Sequence, residues 1–262
     1  VGPTLLPFRP VVSPMLSGPP VSSTVDADQL LERFLSGSAR QRRSLLGTLG
    51  QAGSALLDLI PDRLDHLDAT GDDWAAGHLI QLLLASGDTP RQEALLARHP
   101  QGWLAVTSVA GLDYAPLQLH LMRQAFEEAD RLTSEHLRQL AGAGAVRRGY
   151  VYYSEVATMP ATDLTSLDRL WTCYSQGRFG FSAQARLLLA CQGQWERLWP
   201  RLAWKTDGTW TRYPGAFQWS IDAPEGHMPL INQLRGVRLM DALLQHPAIQ
   251  ARLEEAAAGR PR

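Results

Sequence analysis

Arg235, Arg238 and Ala242 stand at i, i+3 and i+7, a spacing that sets them along one face of a helix, beside an apolar stripe. Two guanidinium forks bordering an apolar floor suit bidentate capture of a ligand's carboxylates. The same spacing also describes a solvated helix face with Asp241 and Asp222 as partners, and spacing alone leaves both readings open. The second constellation is aromatic. Residues 167–229 hold Trp171, Trp195, Trp199, Trp204, Trp210 and Trp219, six of the chain's eight tryptophans. Trp204, Trp210, Tyr213, Phe217 and Trp219 crowd together among Gly208, Pro214 and Gly215. Such rings either pin a loop by packing on one another or cover a pocket whose occupant is flat and apolar.

Catalytic and metal chemistry find little support. His227 lies near Glu225 and His136 follows Glu135, yet no His or Cys pair has ligand spacing. Neither a Walker-type loop nor a G-x-S-x-G elbow is present. Gly177-Arg-Phe-Gly-Phe181 lacks the strand-turn-helix setting of a dinucleotide site. The chain reads as a binding protein, with no catalytic residue, no metal site and no catalytic cofactor expected.

The elements that must position these residues read as all-α. Apolar residues recur at helical spacing through Leu30, Leu31, Phe34 and Leu35, then Leu45, Leu46 and Leu49, then Leu56, Leu57, Leu59 and Ile60, where Pro61 is expected to end a third helix. A fourth is expected over 73–86, and a fifth opening at Thr89-Pro-Arg-Gln92 with Thr89 as cap and Gln92 completing a capping box. Further helices are expected over 116–123, 124–140, 163–175, after a cap at Ser182, and over 230–246. Residues 204–227 are expected to be largely irregular and partly exposed. The organisation reads as a Pro-rich flexible arm over 1–25, a helical bundle over 26–102, a core domain over 103–250 and a C-terminal tail over 251–262.

Composition narrows the partners. With 262 residues, 45% hydrophobic and 19% charged, the chain is ordinary globular material. A net charge of −1 without a basic run gives no footprint for nucleic acid. The nearest approach to a membrane span, residues 78–85, is interrupted by Gln81. Cys173 and Cys191 have no C-x-x-C spacing, which fits a reducing compartment better than a disulfide.

Between residues 111 and 247 the chain resembles the Genomes Uncoupled 4 family, tetrapyrrole-binding regulators of magnesium chelatase in oxygenic phototrophs. The resemblance rests on Gly111-Leu-Asp-Tyr-Ala-Pro-Leu-Gln118, Phe126-Glu-Glu-Ala-Asp130, Ser175-x-Gly177-x-Phe179-Gly180-Phe181-Ser182-x-Gln184, Leu198-Trp-Pro200, Pro224-x-Gly226-His227-x-Pro229-Leu230 and Asn232-Gln-Leu-Arg235-Gly-Val-Arg238. It implies an all-α core shaped like a cupped hand that grips protoporphyrin IX or its magnesium form, preceded by a helical bundle in cyanobacterial members. It further implies a non-enzymatic carrier that activates magnesium chelatase in chlorophyll biosynthesis through the large porphyrin-binding subunit. A rival is a tetrapyrrole or bilin sensor acting on another protein partner. On this resemblance Arg235 becomes a propionate contact, and Tyr153, Ala242 and Tyr213 fall on pocket positions. With Arg238, Trp210 and Phe217 they make up the expected porphyrin site. Tyr213 and Tyr153 stand where Trp and Phe are common, so each keeps a ring and adds a hydroxyl. The expected setting is the cytoplasm of a cyanobacterium, with peripheral association at thylakoid membranes and the chloroplast stroma as the alternative; the expected state is a monomer.

Overall fold

The computed structural model describes residues 24–231 and 237–258. Helices dominate, as the periodicity requires, and the chain divides between Leu59 and Ile60 into two compact units. In the first, α1 (Thr24–Ser36) and α2 (Ala39–Gly50) pack together. Ser38 caps α2 in a capping box with Gln41. Arg42 reaches from α2 to the carbonyls of Phe34 and Leu35, at 2.9 and 2.5 Å, satisfying acceptors that the end of α1 leaves open. α3 (Gly53–Leu64) crosses the division. Pro61 does not end it: the ring removes only one backbone donor, and buried Ile60 and Leu64, four residues apart on one face, favour a further turn.

The second unit holds α4 (Trp74–Ala85), α5 (Thr89–Arg98), α6 (Ala115–Met122), α7 (Phe126–Leu140), α8 (Ala143–Arg148), a 3-10 turn (Tyr153–Thr158), α9 (Ala161–Cys173), α10 (Phe181–Ala190), α11 (Trp195–Arg201), α12 (Val237–Leu244) and α13 (Pro247–Ala258). The division therefore falls some forty residues before the expected one near residue 102. Packing decides this. The Gln81 amide of α4 donates to the carbonyls of Leu121 and Tyr174 at 3.0 and 2.7 Å, and Gly77 lets α4 approach α9 so closely that a Cβ would meet the Cys173 carbonyl oxygen at 2.2 Å. Both contacts are buried and far apart in sequence, so helical periodicity could not reveal them.

Several helix ends differ from the sequence reading for related reasons. Asp88, not Thr89, caps α5, because its carboxylate is the stronger acceptor for the Arg91 N–H. Ser182 lies inside α10, and its N–H donates at 2.8 Å to Asp168, which reaches over from α9. The second Asp168 oxygen pairs with Arg252 at 2.5 Å, and Arg252 also pairs with Asp72. The segment expected as a tail is thus α13, held against α9 and α10. Leu230 and Ile231 are non-helical, with the Leu230 N–H donated to Asp130, and the described part of the last expected helix begins at Val237.

Residues 204–227 are largely irregular, as expected, apart from one antiparallel hairpin, β1 (Lys205–Thr206) and β2 (Thr209–Trp210), with Lys205 opposite Trp210. Asp207 and Gly208 both adopt positive φ, 49° and 79°, the conformation of a two-residue hairpin turn.

Gly77→Ala is expected to destabilise the protein by about 1–3 kcal/mol, since the added methyl must force the backbones of α4 and α9 apart. Urea denaturation beside the parent measures this, and an unchanged midpoint would remove the close approach from the account of the fold.

Candidate functional site

One face of α7 forms a wall. Asp130, Arg131, Ser134, Leu137 and Arg138 line a cleft of about 580 Å³ together with Tyr150, Val151, the last hairpin residue and the stretch that follows it, Trp210–Tyr213, Leu230, Ile231 and Leu239 of α12. The volume is in the range of small-molecule sites. Leu137, Val151, Leu230, Ile231 and Leu239 make the interior apolar, while Arg131, Arg138 and Arg212 bring guanidinium groups to it.

The opposite side is built from rings. Trp199 stacks on Trp195 and Trp204, with centroids 5.2 and 6.0 Å apart, and Trp210 leans on Trp199 at 5.4 Å. Trp204 is fully buried and donates its Nε1–H to the His227 carbonyl at 2.8 Å. Farther along, Tyr213, Phe217 and Trp219 form a mutual cluster with centroid separations of 5.6–5.8 Å. His227 holds this cluster to the body: Nδ1 is 2.6 Å from the Leu202 carbonyl and Nε2 accepts the Gln218 N–H at 3.3 Å, which places the proton on Nδ1. Burial lowers its pKa from the usual histidine value, and the hydrogen bond to Leu202 raises it in part. Gln184 donates to the carbonyls of Gly226 and Pro229, at 2.9 and 2.7 Å.

Asp130 is the most perturbed group in the cleft. It is 1% exposed, and one oxygen accepts the Leu230 N–H at 2.6 Å while the other, Oδ2, has no hydrogen-bond partner. Burial pushes its carboxyl up to about 7, against the pull of the Leu230 N–H and the Tyr213 hydroxyl and with a smaller push from Glu127. The Tyr213 hydroxyl is near enough for its dipole to favour the carboxylate but lies outside hydrogen-bonding geometry to Oδ2. Burial and the same carboxylate push Tyr213 up to about 12.

The residues singled out from sequence fall into separate places. Trp210 and Tyr213 line the cleft. Phe217, 6% exposed, packs behind Tyr213 and against His227, and is not on the wall. Arg238 is exposed and lies 5.5 Å over the ring of Tyr153, itself 49% exposed, where α12 meets the 3-10 turn; Ala242 follows one helical turn later. These three are not among the cleft residues. Arg235 lies outside the described residues. Sequence reasoning missed the α7 wall. Asp130, Arg131, Ser134, Leu137 and Arg138 do share a helical face, but so do the residues of the apolar stripe, and spacing cannot say which face meets a cavity. Among the described residues no cluster of His, Cys, Asp or Glu is arranged to hold a metal ion, and no helix is long and apolar enough to cross a membrane. Both cysteines are free and buried.

Comparison with known proteins places this geometry in context. Residues 107–247 match the family model described as GUN4-like. The chain is 37% identical over 220 residues to the Ycf53-like protein of Synechocystis sp., covering 84% of this chain and 94% of that one. It is 38% identical over 141 residues to the chloroplastic tetrapyrrole-binding protein of Arabidopsis thaliana, covering 50% of this chain and 53% of the plant protein. The solved structure of GUN4 from Chlamydomonas reinhardtii superposes with a TM-score of 0.52 at 38% identity, over 55% of this chain and 95% of that one.

The buried carboxylate generates a stability prediction with a definite sign. A carboxyl whose pKa rises from 3.8 unfolded to about 7 folded favours folding at low pH and loses that contribution as pH rises through 7. Asp130→Asn, which can still accept the Leu230 N–H, is therefore expected to stabilise the empty protein by about 1–3 kcal/mol above neutral pH. The gain should shrink as pH falls from 7 toward 4. Urea midpoints of both proteins across that range measure it; a gain independent of pH would show that Asp130 is not titrating in the fold.

Proposed function

The chain belongs to the GUN4-like family, and on that footing we propose that it binds a tetrapyrrole, protoporphyrin IX and its magnesium form, in the cleft between α7 and the aromatic hairpin. It is a non-enzymatic carrier that stimulates magnesium chelatase in chlorophyll biosynthesis by presenting the ring to the large chelatase subunit. The carrying observation is the cleft itself: an apolar interior of about 580 Å³ bounded by Trp210 and Tyr213, with Arg131, Arg138 and Arg212 beside it. A planar macrocycle has two apolar faces and acidic edges. The α7 wall desolvates one face, the hairpin rings cover the other, and guanidinium groups meet the propionates.

Arg235 and Arg238 are proposed as further propionate contacts, and Tyr153 and Ala242 as a flank of the same site. Arg238 needs little rearrangement for this role, since its guanidinium rests over the exposed ring of Tyr153. Phe217 acts indirectly, by seating Tyr213. The protein works as a monomer in the cytoplasm of a cyanobacterium or the stroma of a chloroplast, at the periphery of thylakoid membranes.

Quenching of tryptophan fluorescence by protoporphyrin IX, its magnesium form and biliverdin tests the binding, and stimulation of reconstituted chelatase separates the carrier from a bilin sensor that acts elsewhere. Saturable quenching without stimulation would favour the sensor, and no quenching by any of the three would end the tetrapyrrole reading. Tyr213→Ala is expected to weaken binding by about 0.5–1.5 kcal/mol, chiefly through faster release, while Tyr213→Trp binds at least as tightly as the parent. Stopped-flow release rates decide this. Arg138→Ala should weaken binding by about 1.5–3 kcal/mol if its guanidinium meets a propionate.

A further inference from the structure

Asp130 has a structural duty that uses only half of its carboxyl. Oδ1 fixes the Leu230 N–H, and with it the segment that closes the cleft. Oδ2 is buried without a hydrogen-bond partner, on a residue that lines the cleft. Buried acceptors without a partner are rare in folded proteins and expensive to keep. An asparagine would satisfy the same backbone donor without placing a charge there.

Resting on the tetrapyrrole reading above, we infer that Asp130 is a specificity-determining ligand contact, whose Oδ2 accepts a hydrogen bond from a proton donor presented by the ring centre. Two kinds of tetrapyrrole offer that chemistry. A magnesium macrocycle carries an electropositive ion, and water bound to that ion is a strong donor. An open-chain tetrapyrrole is not held flat by ring closure, so a pyrrole ring on it can tilt and aim the N–H of its concave edge out of the mean plane. Free-base protoporphyrin offers neither: its inner N–H groups lie in the ring plane, and its neutral face merely buries the carboxylate more deeply. Asp130 thus favours ligands that carry a central donor and opposes the free base. The Tyr213 hydroxyl borders the same carboxyl and stands beside the donor when it arrives.

The test measures dissociation constants of the full chain and of Asp130→Asn for magnesium protoporphyrin, biliverdin and protoporphyrin IX, at a pH where the carboxyl is ionised. The substitution keeps an acceptor for Leu230 and puts an NH₂ group in place of Oδ2, so it repels donors. The preference for a donor-bearing ligand over the free base is expected to fall by about tenfold or more, the scale of one hydrogen bond to a charged group. Loss for magnesium protoporphyrin alone assigns the donor to metal-bound water, and loss for biliverdin alone assigns it to pyrrole N–H. Equal changes for all three ligands, or none, would overturn the inference while leaving the tetrapyrrole reading intact. Failure of the parent to bind any of the three overturns both. A measurement on the unaltered protein stands beside the variant: with carboxyl-¹³C aspartate incorporated, the Asp130 resonance should move on adding a donor-bearing ligand more than on adding the free base. Equal movement counts against the contact.

Discussion

A long segment without a regular helix runs from Trp204 to Ile231, and its later part, residues 226–229, is buried; the backbone donors and acceptors there must still be satisfied. Side chains carry out this task. His227 links Leu202 to Gln218, Gln184 takes Gly226 and Pro229, Trp204 holds the His227 carbonyl, Arg178 donates to Ala223 at 2.6 Å and Asp130 accepts from Leu230. Without those bonds the rings would have no fixed place and the cleft no second wall.

The constraint also explains why the site is made of unlike halves. α7 is a rigid helix whose hydrogen bonds are internal, so its cleft face can carry mixed chemistry: Leu137 for apolar contact, Arg131 and Arg138 for charge, and Asp130 as a pin. The hairpin side offers chiefly rings packed on rings, with Arg212 and the Tyr213 hydroxyl as its polar groups at the cleft. A similar device recurs away from the site. Asp168 uses one oxygen for the start of α10 and the other for Arg252 of α13, both fully engaged in a buried place. Against that background the unpartnered Oδ2 of Asp130 differs from the buried carboxylates of Asp163 and Asp168, whose oxygens are both hydrogen-bonded.

Helical periodicity and capping chemistry carried most of the fold. The ranges of α4, α6, α7 and α9 follow from apolar spacing, and Gly87 lies just past the end of α4. The errors share one cause. Thr89, Ser182 and Pro61 have local propensities that fit their expected roles, yet Asp88, Asp168 and the buried pair Ile60 and Leu64 override them, two of these through contacts distant in sequence or in the packed core. Asp207-Gly208 is a hairpin turn legible in residue type, set among many other loop-forming residues.

The sequence by itself determined the helical class, the ring-rich segment that carries Trp210 and Tyr213, and the family motifs, because each is written in residue types at short spacing. Only the tertiary structure decided that Phe217 stands behind the wall, that Arg238 rests on Tyr153 outside the cleft, and that Asp130 lies inside it with one oxygen open. Those outcomes depend on which helix face meets which neighbour. Burial and hydrogen-bond satisfaction are properties of the packed chain, and a carboxylate reads the same in sequence whether it faces water or a cavity.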